Sequence, residues 1–539
     1  MRTSSSIGEL PANWSIAKLS EITLVNPTLD KSNFPDGLEV SFVPMPAVQA
    51  QSGVIDVSAK RKFTEVKKGY TPFLEGDVLF AKITPCMENG KMAIVPAVRN
   101  GIGFGSTEFH VLRSLSEISA KYVYYYVSSQ SFRREAEHKM SGAVGQKRVT
   151  TPYLTNCEIP VPPENEQHRI VAKIEELFSE LDKGIENLKT ARAQLKVYRQ
   201  ALLKHAFEGK LTAQWREQNR DKLETAAALL ARIQTERAQR YQQQLQQWER
   251  RKSPSVPLLL RGKTSGAAST TSIPPLKKGG KGDLKPKAPK PLPPLTADEL
   301  AELPELPEGW GWVRLDEISE KITDGDHQAP PQETDGIPFI TISDIKNQRI
   351  DFSDTRHVSK SYFDGLSEMR KPVKDDILYT VTGSFGIPCL IDFERDFCFQ
   401  RHIGLVRPCK NISNKFLFYV LSSRHVYGQA ASVATGTAQK TVPLGGLRLF
   451  KIPLTSLEEQ QQIALELDSR LSEADQLDQT LTASLQQSEA LRQSILKKAF
   501  AGTLVAQDAS DEPAAVLLAR IKVERATTKE DLLVRQRRK

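Results

Sequence analysis

The stretch that decides the fold is residues 164–205, ENEQHRIVAKIEELFSELDKGIENLKTARAQLKVYRQALLKH, which directly follows two prolines. It contains no proline, and its apolar residues recur with heptad spacing, which predicts one long helix of about 60 Å. Glu164 and Glu166 lie in the first turn and Lys204 lies near the other end, as the helix dipole favours. The predicted seam consists of Ile170, Ile174, Leu177, Leu181, Leu188, Leu195 and Leu202.

A second segment of the same kind follows Pro453. Its predicted seam consists of Ile463, Leu467, Leu477, Leu481, Leu491 and Ile495. Each helix could pack on its own globular region, or the two helices could pack on each other. We favour pairing, because two narrow apolar seams in one chain would otherwise each need an outside partner.

The two helical segments belong to an internal repeat that runs along the whole chain. The Trp14 segment, Leu10–Ile22, aligns with Leu306–Ile318 at an offset of 296 residues. Further matches in the same order pair Gly76–Phe80 with Asp375–Tyr379, Lys121–Ser129 with Lys415–Ser423, Ser141–Lys147 with Thr435–Lys440, Arg199–Phe207 with Arg492–Phe500, and Ala227–Ile233 with Ala515–Ile521. Collinear matches with slowly drifting offsets indicate two copies of one module.

Each module begins with a turn-rich region of short β-branched and aromatic runs, which is typical of a mixed α/β domain. Within it, 121–129 and 415–423 are predicted to be short buried helices whose aromatic residues are core. The predicted fold class is therefore α+β, with two globular domains that are each followed by a long helix. The predicted boundaries are 1–162 and 305–455 for the globular domains, 163–250 and 456–539 for the helical regions, and 251–304 for a linker.

The net charge of +9 comes from the linker and does not by itself indicate a nucleic-acid partner. Residues 251–294 contain ten Lys and Arg and one acid, so 10 − 1 = +9 and the other residues sum to zero. A Pro/Lys/Gly/Ser composition cannot bury a core. The segment could be a mobile tether or an accessory phosphate-binding tail. We favour the tether, because the segment has no aromatic residue that could stack on a base.

Composition excludes several classes of protein. No apolar run approaches the ~18 residues that cross a bilayer, so no membrane partner is expected. Residues 1–6 have no apolar core of a signal peptide. Five cysteines in 539 residues are too few and too scattered for a disulfide scaffold, which favours a reducing, cytoplasmic setting.

Motifs for chemistry are missing or weak. There is no Walker-type phosphate loop and no Asn-Pro-Pro-aromatic tetrad, and the glycines of 101–105 precede a predicted strand and not a helix. Asp36, Glu65 and Lys67 resemble a nuclease set, but the second module has no counterpart. Cys398, His402 and Cys409 lack the paired spacing of zinc ligands, so no metal site is predicted. The chain is interpreted as a binder that has no catalytic residues and holds no cofactor.

At this point the organisation resembles a known family. The resemblance depends on motifs that occur once in each repeat. Near the start of each module are a tryptophan (Trp14, Trp310) and, later, the turns Gly76–Phe80 and Asp375–Tyr379. Before each long helix are a loop with glycine and Gln-Lys, the dipeptides Ile159-Pro160 and Ile452-Pro453, and, at the start of the helix, Glu166-Gln167 and Glu459-Gln460. Together they resemble the specificity subunit of type I restriction–modification systems. The long basic linker and Asp375 in place of a glycine depart from the family pattern.

The resemblance implies a function and partners. It implies two target recognition domains that read double-stranded DNA, and helices that pair as an antiparallel coiled coil with pseudo-two-fold symmetry. It also implies docking of two methyltransferase subunits, which would use S-adenosylmethionine, and of translocating nuclease subunits. Each domain would read one half of a bipartite, asymmetric target, with the helices acting as a ruler for the unread spacer.

Bases are read by bidentate donors and acceptors on protruding loops, and two loops recur in both modules. The DNA-binding candidates in the first module are Lys82, Thr84, Asn89, Lys91, Ser141, Gly142, Gln146, Lys147 and Arg148. Those in the second are Thr382, Ser384, Arg401, His402, Thr435, Gly436, Thr437, Gln439 and Lys440. We expect Lys147 and Lys440 to contact phosphate, although Gln-Lys could also merely cap the next segment.

Two other classes of function stay open from the residues alone. One is a fused restriction or methylation enzyme with its own catalysis, which the missing motifs disfavour. The other is a helical scaffold that binds only proteins.

Overall fold

A computed structural model of the chain describes residues 9–143, 145–252, 285, 288, 292–327 and 330–537. The predictions for residues 1–6 and for most of the linker lie outside these residues. The chain divides into two compact units, Met1–Ala191 with Thr480–Lys539, and Arg192–Gln479. The units do not coincide with the two repeats, because each combines a globular region of one repeat with helices of both. Within the described ranges, no helix is both long and apolar enough to cross a membrane.

The globular part of the first unit is built on three sheets. Its strands are β1 (Ser15–Lys18), β2 (Thr23–Val25), β3 (Glu39–Val43), β4 (Lys60–Lys62), β5 (Thr71–Leu74), β6 (Val78–Ala81), β7 (Met92–Ile94), β8 (Ile102–Gly105), β9 (Phe109–Ser114) and β10 (Glu158–Val161). The sheet orders are β1-β10, β2-β9-β6-β7 and β4-β3-β8-β5, and β3 and β8 run parallel. The 101–105 segment thus contributes a buried strand and no phosphate-binding loop ahead of a helix.

Short helices surround these sheets. They are α1 (Leu19–Ile22), α2 (Phe63–Val66), α3 (Ala120–Ser128), α4 (Gln130–His138) and α5 (Thr151–Asn156). Ser119 caps α3 and Ser129 caps α4, because each hydroxyl accepts a hydrogen bond from a backbone amide three residues on. Tyr122 on α3 is buried, and Tyr124, Tyr125 and Tyr126 are half-buried against the same core, which confirms that the aromatic run packs into the core.

The globular part of the second unit repeats this plan. Its strands are β11 (Gly311–Arg314), β12 (Ser319–Asp324), β13 (Ile337–Ile340), β14 (Ile345–Lys346), β15 (Arg349–Ile350), β16 (Arg356–Val358), β17 (Ile377–Thr380), β18 (Pro388–Leu390), β19 (Cys398–Phe399), β20 (Ile403–Pro408) and β21 (Lys451–Leu454). The sheets β11-β21 and β12-β20-β17-β18 match β1-β10 and β2-β9-β6-β7, and β16-β13-β19 matches the first three strands of β4-β3-β8-β5.

The helices of this region also match. They are α10 (Lys360–Gly365), α11 (Asn414–Leu421), α12 (Arg424–Val433) and α13 (Leu444–Arg448). The second unit also contains α7 (Ala213–Gln218), α8 (Ala226–Lys252) and α9 (Ala297–Ala301). The short helix α9 falls inside the predicted linker, where Thr296 and Glu299 form a capping box and Glu299 pairs with Arg314.

One turn in each unit explains a shared motif. Gly76 has a φ of +83°, and the following Asp77 is buried and accepts hydrogen bonds from the Leu74 amide and the Arg113 guanidinium. In the second unit Asp376 makes the same contacts with Val373 and Arg407. The buried Asp–Arg pair therefore fixes the start of the central strand in both units.

At the corresponding position before Asp376, Asp375 has a φ of +76°, so a non-glycine residue adopts the left-handed conformation. Its carboxylate accepts a hydrogen bond from the Asn414 amide.

The long helices are α6 (Glu164–Phe207) and α14 (Leu457–Phe500), and α14 is followed by α15 (Ala514–Arg537). In the first unit, the start of α6 lies beside the chain that follows α14, since Arg169 pairs with Asp511, while Asp182 pairs with Arg492. In the second unit, Arg192 pairs with Asp478 and Arg199 with Asp475. In each unit the two helix segments therefore run antiparallel.

Part of the predicted seam of α14 is wrong by one residue. Leu477 and Leu491, both predicted on the seam, are 56% and 52% exposed. The next residues along the helix, Asp478 and Arg492, face α6 instead and pair with its side chains. Successive residues of a helix are about 100° apart around its axis. A seam assigned to Leu477 and Leu491 therefore lies off the face that contacts α6.

The other seam predictions fall on covered positions. Ile170, Ile174, Leu202, Ile463, Leu467 and Ile495 are buried, and Leu177, Leu181, Leu188, Leu195 and Leu481 are half-buried. Several buried members also belong to the globular cores, because Ile170 and Ile174 lie in one core with Trp14, and Ile463 and Leu467 in the other with Phe416. Near their ends, α6 and α14 therefore pack on a globular region as well as on the other helix, so both of the predicted kinds of packing occur.

A buried carboxylate joins the parts of each unit. In the first, Glu166 accepts hydrogen bonds from Trp14 Nε1 at 3.0 Å and from Gln507 Nε2 at 2.6 Å. In the second, Glu459 accepts from Trp310 Nε1, Thr212 Oγ1 and the Arg216 guanidinium, each at 2.8 Å. The tryptophan starts and the helix openings, which carried the resemblance, are therefore hydrogen-bond partners in both units.

Candidate nucleic-acid interface

The structure brings together the two loops that the sequence analysis proposed separately. In the first unit, the loop after β6 (82–91) lies against the described residues of the loop before α5 (141–143 and 145–148). Ile83 forms a β-bridge with Arg148, and the Thr84 amide donates to the Lys147 carbonyl at 3.0 Å. We call these two segments the first loop pair.

The second loop pair consists of residues 381–387, after β17, and 435–441, before α13. Thr382 forms a β-bridge with Thr441, and the Gly383 amide donates to the Lys440 carbonyl at 2.9 Å. Lys440 therefore occupies the place that Lys147 takes in the first pair. The backbone connection is the same in both units, although the loops differ in sequence and length.

A glycine closes one turn in each pair. Gly142 has a φ of +132°, and a Cβ there would lie 2.8 Å from the Gln146 carbonyl oxygen. Gly436, with a φ of +107°, lies in the same way against the Gln439 carbonyl. These glycines let the chain fold back tightly, which is a structural reason for the motif that is separate from any approach to phosphate.

Most predicted DNA-binding side chains are exposed on the two loop pairs or beside them. The exposed candidates are Asn89, Ser141, Gly142, Gln146 and Lys147 in the first unit, and Ser384, Arg401, Thr435, Gly436, Thr437, Gln439 and Lys440 in the second. Lys82 is half-buried at the base of its loop, where the Val149 amide donates to its carbonyl at 2.8 Å. The exposed side chains are placed to contact a ligand on the surface of each unit.

Several candidates have partners within the protein. Arg148 donates to both carboxylate oxygens of Glu108, at 2.9 and 2.8 Å, and this contact lowers the pKa of Glu108. Lys91 Nζ donates to the Met45 carbonyl at 3.2 Å, and Thr84 Oγ1 donates to Glu88 at 3.1 Å. These three side chains support the loops, so a DNA contact by any of them would compete with a contact inside the protein.

Two candidates in the second unit also differ from the expectation of an exposed side chain. Thr382 is only 5% exposed and its hydroxyl accepts a hydrogen bond from Thr441, so it cannot reach DNA without a rearrangement. His402 is half-buried, and its pKa is lowered by burial and by the neighbouring Arg401. A neutral imidazole can read a base edge but adds no charge for a phosphate.

Two supporting contacts were absent from the sequence analysis. Arg133 on α4 donates to the carbonyl of Glu88, in the first loop pair, at 2.6 Å. Tyr427 on α12 stacks on Phe385 in the second loop pair, with ring centroids 5.7 Å apart and ring planes within 9°. Extending the Lys121–Ser129 repeat match by four residues would have aligned Arg133 with Tyr427, but their side chains share no chemistry that would have drawn attention to them.

The sets that the sequence analysis discounted form ordinary contacts. Lys67 pairs with Asp36 at 2.6 Å on the surface, and the thiol of Cys398 donates to the Pro338 carbonyl. Burial raises the pKa of the Cys398 thiol to about 12. In the part of the chain that the structure describes, no three His, Cys, Asp or Glu side chains gather in a way that could hold a metal ion.

Comparisons with known proteins agree with this architecture. The family model "Type I restriction modification DNA specificity domain" matches residues 11–190 and 307–487. The EcoAI type I restriction enzyme specificity subunit of Escherichia coli is 28% identical over 523 residues, which cover 87% of this chain and 79% of that protein. The EcoEI specificity subunit of the same species is 29% identical over 535 residues, covering 89% and 81%.

Solved structures show the same fold. A chain from a structural study of complex assembly and conformational transition in a type I restriction–modification system has a TM-score of 0.63 at 21% identity, covering 92% of this chain and all of that one. The HsdS subunit from Thermoanaerobacter tengcongensis has a TM-score of 0.52 at 20% identity, covering 93% and 100%. Since the family's domain matches twice, over more than half of the residues, the chain belongs to the type I restriction–modification DNA specificity family, as a specificity subunit with two target recognition domains.

Proposed function

We propose that each loop pair reads one half of a bipartite, asymmetric DNA target. The observation that carries the proposal is that both pairs share one backbone frame but present different side chains. Lys147 and Lys440 occupy the same place in that frame, whereas Asn89 and Ser384 lie on loops of different length. Shared cations suit phosphates, which carry no sequence information, and differing polar groups suit base edges, which do.

The phosphate role of the shared lysines has a direct test. We expect Lys147→Ala and Lys440→Ala each to weaken binding of the chain, in complex with its modification subunits, to every DNA sequence. The slope of log affinity against log salt should fall by roughly one for each lysine. Lys410→Ala is the matched control, because Lys410 is also exposed but lies outside the loop pairs. An altered sequence preference with an unchanged salt slope would contradict the phosphate role.

We further propose that α6 and α14 set the length of the unread spacer. Both helices run without a break for 44 residues, or about 66 Å each. Deleting 183–189 from α6 and 483–489 from α14 removes one heptad, about 10 Å, from both. That length corresponds to roughly three base pairs. Methylation mapping should therefore find a shorter spacer or no modified site, and an unchanged spacer would refute the ruler.

The remaining roles concern partners. The chain supplies recognition without catalysis, and two methyltransferase subunits that use S-adenosylmethionine dock on its helices, together with translocating nuclease subunits, in the cytoplasm. Labelled methyl donor added to the isolated chain and DNA should leave the DNA unlabelled, and adding the methyltransferase should label it. Labelling by the chain alone would favour a fused enzyme, and failure of the whole complex to bind DNA would favour a protein-only scaffold.

A further inference from the structure

In each unit one helix contacts a loop of the loop pair from the same repeat position. The helix is α4 in the first unit and α12 in the second, and the loops are the ones that follow β6 and β17. Arg133 on α4 and Tyr427 on α12 are 294 residues apart, the offset that also relates Ser129 to Ser423, whose hydroxyls cap these two helices. Ala136 and Ala430, which share that offset and lie one turn further on, are buried in both units. The two positions are therefore structurally equivalent, although one holds a cation and the other an aromatic ring.

Arg133 is a buried cation, and two of its nitrogens donate to backbone carbonyls. It is 7% exposed, its Nε donates to the Ser128 carbonyl at 3.1 Å, and its Nη1 donates to the Glu88 carbonyl at 2.6 Å. A Cβ on Gly90 would lie 3.2 Å from the same Nη1, so the guanidinium also lies against the backbone at the end of that loop. An arginine stays charged in such a place, so these hydrogen bonds are charge-assisted.

Tyr427 supports the second loop pair through its ring. The ring lies flat on Phe385, and a Cβ on Gly386 would be 2.7 Å from Tyr427 Cδ2. Tyr427 is 50% exposed, so it is not a core residue, and its ring contacts Phe385 and Gly386 of the loop. Beneath the same loop, and among the described residues, the hydroxyl of Tyr379 is buried without a hydrogen-bond partner. The loop has its own hydrogen bonds, since Thr380 Oγ1 donates to the Ser384 carbonyl and accepts from the Ile387 amide. From α12 the Tyr427 ring adds apolar packing, whereas from α4 the equivalent Arg133 adds a hydrogen bond.

We propose that Arg133 and Tyr427 are positioning residues for DNA recognition, each holding the loop of its own unit in the conformation that reads its half of the target. The inference rests on the proposed function of the loop pairs. Base-edge contacts discriminate only when the loop is held within about 0.5 Å of the productive geometry, which requires a supporting shell around it.

The test measures discrimination at each half of the target separately. Methylation mapping of DNA modified by the complex first gives the bipartite sequence. Affinities are then measured for the cognate DNA and for DNAs with one half replaced. We expect Arg133→Met to reduce discrimination about tenfold at one half and Tyr427→Ala to reduce it about tenfold at the other, with little change at the opposite half in each case.

Matched variants separate positioning from general stability. Arg133→Lys should restore part of the discrimination, since it keeps a charged donor. Arg134→Met, at the exposed neighbouring position, should match the wild type. Tyr427→Phe keeps the stacked ring and should also match it. Because Tyr427 is half-exposed, its two variants remain informative even if Arg133→Met fails to fold, as a thermal melt would reveal.

Unchanged discrimination in Arg133→Met and Tyr427→Ala, or losses that fall on the same half of the target, would overturn the positioning role. A wild-type complex that shows no preference at either half would instead refute the proposed function of the loop pairs.

Discussion

The two buried carboxylates predict different responses to the same substitution. Glu459 is 1% exposed, and its oxygens accept hydrogen bonds from Trp310, Thr212, Thr455 and the cationic Arg216. Replacement by glutamine leaves one oxygen to accept, turns an amide NH2 toward other donors and removes the counter-charge of Arg216. The side chain of Arg216 is only 18% exposed, so water compensates little.

Breaking a buried charge pair on one side costs about 3–5 kcal/mol. An unsatisfied buried donor costs a further ~1–3 kcal/mol. The guanidinium of Arg216 also donates to the Gly209 carbonyl, which retains part of its pairing. We therefore expect Glu459→Gln to destabilise the second unit by about 4 kcal/mol, near the lower part of the combined range.

Glu166 should respond much less. Its two donors, Trp14 Nε1 and the Gln507 amide, are uncharged, and the nearby Arg169 is already paired with Asp511. Burial raises the pKa of Glu166, so its neutral form is already favoured relative to an exposed carboxyl. A glutamine introduced at this position could still accept from Trp14, and it could pair with Gln507 once one of the two amides flips. We expect Glu166→Gln to cost about 1 kcal/mol.

Hydrogen–deuterium exchange separates the two units in one chain. Amides near the start of α14 should exchange about a thousandfold faster in Glu459→Gln, and those near the start of α6 about fivefold faster in Glu166→Gln. Glu473→Gln, at an exposed position of α14, is the control and should change neither. Equal losses of protection in the two test variants would refute the argument that the charge of Arg216 makes the second unit the more sensitive one.

Two smaller predictions concern the seam and the shared turn. Leu485→Ala should destabilise the first unit by about 2 kcal/mol, because Leu485 is half-buried. Leu477→Ala should change stability by less than ~0.5 kcal/mol, because Leu477 is exposed. Urea unfolding of both variants checks the register of α14. Gly76→Ala should lower the free energy of unfolding by about 1 kcal/mol, since φ is +83° there. Asp375→Gly should lie within ~0.5 kcal/mol of the wild type, because the released backbone strain offsets the lost side-chain hydrogen bond. Equal destabilisation by both variants would contradict this account of the turn.

The repeat and the long helices could be predicted from the sequence, because proline boundaries and heptad spacing are local signals. The structure starts α6 at Glu164, as predicted, and ends it at Phe207. The register of α14 could not be predicted in the same way. Heptad spacing admits Leu477 and Leu491, but both are exposed, and the ion pairs of Asp478 and Arg492 with α6 show that the contact face runs one residue further on.

The loops show the same limit at the candidate site. Their positions in the chain could be predicted, but Arg148 pairs with Glu108, 40 residues earlier, and no periodicity connects those two residues. Thr382 looks like an exposed hydroxyl in a glycine loop, and only the bridge to Thr441 explains its burial. Contacts between residues distant in sequence therefore decide which polar side chains are available to a ligand.

The distribution of shared and differing residues gives a physical reason for the duplicated architecture. The residues that hold each unit together recur with matching chemistry: a tryptophan on a buried glutamate, and an aspartate–arginine pair below the central turn. Apart from a shared glycine, glutamine and lysine, the residues exposed on the loop pairs differ. Because a surface substitution away from such buried features usually changes stability by no more than about 0.5 kcal/mol, the loops can diverge without unfolding the frame. Arg133 and Tyr427 share a repeat position, like the buried residues, but differ in chemistry, like the loop residues. That combination is expected of side chains that support a loop, because a support has to change when the loop that it contacts has changed.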